Sequence, residues 1–167
     1  MRIGAAVLVV VAAAVFLFSR WTAEKPELPS ALGTLRLEQT FTGSEASAIV
    51  NRMHGKGVTP RSNAIGMYKG ASGTATLYLS LYEEQRDAAG VQNDMIAGIQ
   101  TGHTPFSGLE WRTIEGHDLS YCIGEGQAHY FFAVGPSLYW LAVDFPVAAP
   151  TLEALLTSRK TAPGWGG

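Results

Sequence analysis

The sequence has a single cysteine, Cys122, in 167 residues, so no disulfide can form within the chain. Stability must therefore come from packing, whatever the redox compartment. A cysteine this far from the N-terminus also excludes an acylated lipoprotein terminus, and no CxxCH haem-attachment motif occurs. Cys122 is read as a small core residue rather than a reactive thiol. Charge is scarce as well. Only 16% of residues are charged, 12 basic against 14 acidic, and no run of Lys or Arg forms a stripe that could follow a phosphate backbone. No nucleic-acid partner is expected on that ground.

Motifs that carry chemistry are missing too. The stretch Gly70-Ala71-Ser72-Gly73-Thr74 has its second glycine one place too early for a nucleophile elbow and reads as a turn. Gly55-Lys56-Gly57 and Gly124-Glu125-Gly126 lack the glycine and Lys-Ser/Thr pattern of a phosphate loop. The four histidines, His54, His103, His117 and His129, include no i, i+4 pair of the kind that binds metal from one helix face. A set of His117, His129 and Cys122 could meet only across neighbouring strands, and satisfied or surface histidines are the simpler expectation. Catalytic residues, cofactor and metal are all expected to be none.

What the chain does have begins with an apolar run. Ile3 to Ser19 carries no charge and is followed by Arg20 and Trp21, residues suited to a membrane interface. As a helix this run spans about 25 Å, slightly short of a bilayer core, a shortfall that Arg20 can cover by snorkelling. A cleaved signal peptide is the competing reading. Cleavage after Ala23 or Ser19 would put Trp21 or Leu17 at the third position back, where a small residue is needed. Residues 1–21 are therefore expected to stay as a membrane anchor or uncleaved signal segment, which the intact mass of the native protein would show. Residues 22–33, with Pro26 and Pro29, read as an extended linker. Residues 34–160 form one domain on the periplasmic or extracellular side, and 161–167 a loose tail.

Within that domain, alternation and punctuation predict an α+β fold. Strands are expected at Leu35 to Phe41, Asn63 to Lys69, Thr74 to Tyr82, Leu109 to Ile114, Asp118 to Gly124, Ala128 to Val134 and Leu138 to Phe145. Helices are expected from Thr42 or Ser44 to about His54, from Glu83 to Gln100 and from Pro150 to Arg159. Gly90 and Gly98 weaken the second helix. The order suggests a mostly antiparallel sheet with two to three helices packed on one face.

If Leu77, Leu79 and Leu81 face those helices, then Tyr78 and Tyr82 point the other way, joined by His129, Phe131, Trp140 and Asp144. This aromatic face is the candidate interaction surface. On that reading Leu79→Ala destabilises the domain, whereas Trp140→Ala spares folding and weakens association. The function expected is a non-enzymatic binding or accessory domain, docking on a larger membrane or envelope assembly through a protein partner. A small-molecule sensor or carrier using the same face is the alternative, and a hydrolase with an unrecognised site is the third reading.

Overall fold

The computed structural model describes residues 26–54 and 60–160. The segment expected to be an anchor, with Arg20 and Trp21, and the expected tail lie outside the described residues. No helix among the described residues is long and apolar enough to cross a membrane.

Eight strands form one curled antiparallel sheet in the order β1-β2-β3-β4-β8-β7-β6-β5. They are β1 (Ala31–Leu32), β2 (Leu35–Thr42), β3 (Ser62–Gly70), β4 (Gly73–Leu81), β5 (Phe106–Ile114), β6 (His117–Gly124), β7 (Gln127–Val134) and β8 (Ser137–Val143). Helix α1 (Gly43–His54) connects β2 to β3, α2 (Gln85–Gln100) connects β4 to β5, and α3 (Ala148–Lys160) follows β8 after a 3-10 turn at Phe145–Val147. Two-residue turns make most of the sheet meander. In the β5–β6 and β6–β7 turns, Glu115 and Glu125 take φ values of 53° and 51°, followed by Gly116 and Gly126 at 76° and 80°. Both central residues of such a turn need positive φ to match the twist of the strands.

Sequence alternation becomes two buried layers. On one face Leu77, Leu79, Leu141, Val143, Tyr130 and Phe132 join Leu152, Leu155 and Leu156 of α3 in the largest core cluster. On the other, Phe131, Trp140, Ala142 and Cys122 pack under Ile99, Met95 and Ile96 of α2, and Ile65 packs under Ala46 and Val50 of α1. The expectation of helices on one face is thus corrected: α3 covers one side, and α1 with α2 covers the other. Period-two patterning shows only that the two faces differ. A sheet with aromatic rings on both sides has too much apolar area to leave either side wet.

The stretch read as linker is partly docked. Leu32 is fully buried, Leu28 packs against the same cluster, and the Tyr68 hydroxyl donates to the Pro29 carbonyl at 2.9 Å. The backbone then pairs Ala31 with Arg36 and Leu32 with Leu35.

Topology places the two helices on the shared face apart from one another. Helix α1 sits over its flanking strands β2 and β3. Helix α2 carries the chain from central β4 out to edge strand β5, so it contacts β5, β7 and β8. It is pinned there by the Gln92 Oε1, which accepts the Ala133 backbone N–H at 2.8 Å. Ala133 sits beyond the last β6–β7 pair, Ser120 with Phe131, so this bond satisfies a donor the sheet ladder does not reach. The surface of β4 between the two helices is left as the floor of a trough.

A trough between two helices on the aromatic face

The trough has a volume of about 1090 Å³ and runs the length of α2. Sixteen helical residues make that length about 24 Å. Its α2 wall is the helical stripe Asp87, Gly90, Val91, Asp94, Met95 and Gly98. The opposite wall is the last turn of α1, with Arg52 and Met53, and the far end is closed by His103 to Phe106. Tyr78 and Trp140 form the floor. Deeper down, Val50, Met53, Tyr78, Met95 and Trp140 surround a narrow cleft of about 20 Å³.

Gly90 shapes the wall. A Cβ built on it would meet nothing within 4 Å. Alanine would fit and would favour the helix by roughly 0.5 to 1 kcal/mol, so the glycine is not required for packing; it keeps the trough wide at mid-length.

The rim is predominantly acidic. Glu83, Asp87, Asp94 and Glu125 face Arg52 and Arg86, and Arg86 is already paired with Glu84 at 3.0 Å and lies 3.9 Å from Asp87. Glu125 reaches the rim because the β6–β7 turn holds it at positive φ. Burial raises the Tyr78 phenol above its ordinary range, with the nearby Glu125 carboxylate adding to the shift. Burial likewise pushes Tyr82 up to about 12. Both rings therefore stay neutral hydrogen-bonding groups at physiological pH.

Of the six residues expected on the interaction face, Tyr78, Tyr82 and Trp140 line the trough. His129 and Phe131, at 3% and 0% exposure, lie beneath α2 as its support. Phe131 stacks on Trp140 at 5.0 Å between centroids, and Phe106 packs on Trp140 at 5.0 Å and on His129 at 4.8 Å. Gly124 allows this, since a Cβ there would collide with the Phe106 ring. Asp144 is elsewhere. Its carboxylate accepts the Thr74 N–H and hydroxyl and a Gln127 amide N–H at 2.7, 3.0 and 2.9 Å, clamping the end of β4. The Gln127 and Thr74 bonds hold its pKa below the usual carboxylate range.

Trp140 is 9% exposed, so the expectation that its loss would spare folding is corrected: it is core with one edge on the trough. Its indole N–H donates to His129 Nδ1 at 2.9 Å, which leaves His129 Nε2–H to donate to the Gly124 carbonyl at 3.0 Å. The imidazole must be neutral to accept the indole proton. Burial lowers the His129 pKa, outweighing the opposing Gly124 bond and Glu125. A group neutral when folded stabilises fully above its unfolded pKa of about 6.5, and that stability is lost as pH falls from there toward the lowered folded value. Thermal melts should accordingly show a falling midpoint from pH 7.5 to pH 5.5, and His129→Gln should flatten that slope. A slope unchanged in the variant would place the titrating group elsewhere.

Cys122 stands opposite His129 in the β6–β7 register and is fully buried, but His117 pairs with Ile114 at the far end of β6. Burial raises the Cys122 thiol to about 11, keeping it protonated. Among the described residues, no three His, Cys, Asp or Glu side chains come together as metal ligands.

The residues missed by sequence reasoning are the trough walls, Arg52, Met53, Asp87, Asp94 and Glu125. The available signal was Gly90 and Gly98, two glycines on one face of an otherwise well-patterned helix. Compared with known proteins, the chain matches no family model, no curated protein and no solved structure.

Proposed function

We propose that this chain is a non-enzymatic binding domain, carried at a membrane by its N-terminal segment, that takes up a short segment of a partner protein in the trough between α1 and α2. The observation that carries this reading is the shape of the site. A trough about 24 Å long and only half enclosed suits an extended or helical peptide better than a compact small molecule, which is usually enclosed on most sides. Its chemistry specifies the segment further. Met53, Met95 and Val91 offer adaptable apolar contacts, Tyr78 offers a phenol, and the acidic excess at the rim favours a basic residue beside the apolar anchors.

The test is selection of displayed twelve-residue random peptides on the full chain in nanodiscs. Recovered sequences should share two or three apolar positions and at least one Lys or Arg. Their affinity should drop about tenfold in Asp94→Lys and recover when the peptide's basic residue is changed to Glu. Recovery of acidic or pattern-free peptides would contradict the reading.

A further inference from the structure

The sheet ends in two unlike edges. The β1 edge is a two-residue strand beside which the described chain begins, and α3 packs against it. The β5 edge is nine residues long and, among the described residues, has no strand on its outer side. Long bare edges invite pairing with another chain and are usually blunted. Here only the N-terminal part is modified, by Gly108 at φ 65° and a bulge between Ser107 and Glu110. The stretch Glu110 to Ile114 beyond it is regular.

The backbone direction along that stretch follows from the turn. Ile114 pairs with His117 across a two-residue loop and exchanges hydrogen bonds with it, so Arg112 with Leu119 and Glu110 with Tyr121 do the same. Trp111 and Thr113 alternate with these and turn their N–H and C=O groups outward. Among the described residues, no other backbone bond engages them. Trp111 is also 65% exposed, the most exposed large apolar side chain among the described residues.

From this edge we infer that two copies of the chain associate by antiparallel pairing of β5 with β5 about a dyad at Trp111. The charges select that register. An isologous antiparallel pair places each outward residue opposite another, so the dyad falls on position 110, 111, 112 or 113. A dyad on Glu110 sets Glu against Glu, and one on Arg112 sets Arg against Arg. A dyad on Thr113 sets Arg112 against Ile114 and brings no opposite charge to it from the other copy. A dyad on Trp111 sets Glu110 of each copy opposite Arg112 of the other, on the same face, as a directly facing pair whose side chains approach closely. Within one chain Arg112 already bonds Glu110 at 2.8 and 3.1 Å and lies over the Tyr121 ring at 3.5 Å, which holds both groups at the edge. The dimer closes these into a ring of four alternating charges. On the other face the two Trp111 rings meet and bury their exposed surface. The interface is small, so the association is weak and concentration-dependent.

Sedimentation velocity of the full chain in detergent, over a dilution series, tests this. Wild type should show a monomer–dimer equilibrium. Glu110→Arg alone and Arg112→Glu alone should each weaken it about tenfold, because each sets like charges opposite one another. An equimolar mixture of the two variants should dimerise again, since Arg at 110 or 112 of one then faces Glu of the other. Circular dichroism melts confirm that each variant is folded, and Glu110→Gln serves as a milder second variant. A wild-type dimer insensitive to both swaps would place association elsewhere on the chain and overturn the proposal. Failure of the mixture to dimerise, a wild type monomeric throughout, or Trp111→Ala weakening vesicle adsorption without changing the sedimentation profile would overturn it as well.

Discussion

Replacing Trp140 with alanine is expected to destabilise the domain by about 3 to 5 kcal/mol, the range for deleting a large buried aromatic side chain. The indole lies between the Phe131 and Phe106 rings, each 5.0 Å away, and is 9% exposed. Its removal opens a cavity beneath α2 and deprives the buried His129 Nδ1 of its donor. Because that cavity adjoins the trough, solvent can partly fill it, so the loss falls toward the lower part of the range. Chemical denaturation of the variant beside wild type measures it. A cost under about 1 kcal/mol would mean that α2 does not cover this face.

Phe132→Ala should cost a similar amount, about 3 to 5 kcal/mol, from the opposite side of the sheet. Phe132 is fully buried, stacks on Tyr139 at 5.2 Å and belongs to the cluster closed by Leu152, Leu155 and Leu156 of α3. The two substitutions neighbour each other in the sheet yet point to separate layers. Their effects should therefore approach additivity in the double variant, within roughly 0.5 kcal/mol. If only one of the two destabilises, the sheet has one covered face rather than two.

Nearly all the elements were legible in the sequence, because strict alternation in Thr74 to Tyr82 and the small-residue turns after Ile114, Gly124 and Val134 are local signals. The helices were legible from their apolar stripes, and Gly102, at φ 70°, ends α2 where its type suggests. Strand β1 was not, since two residues beside Pro26 and Pro29 carry no periodicity. Nor was the covering of both faces. Alternation separates Leu79 from Tyr78, but what lies above each is decided by strand order, and that follows from the excursion of α2 to the far edge. The same topology hid most of the site. Tyr78, Tyr82 and Trp140 were found because they share a sheet face, whereas Arg52, Asp94 and Glu125 come from a helix end, a helix middle and a turn that only the fold brings together.

The claim that the trough is the recognition site is tested most directly at Gly90, whose Cβ direction is empty. Gly90→Ala should leave selected peptides bound as in wild type and raise the melting temperature slightly. Gly90→Trp should fill the trough at mid-length and reduce peptide affinity by a hundredfold or more, roughly 2.7 kcal/mol, with folding intact. Isothermal titration of one selected peptide into the full-chain wild type and both variants reads this. Equal affinity for wild type and Gly90→Trp, in protein that melts normally, would show that recognition lies elsewhere on the molecule.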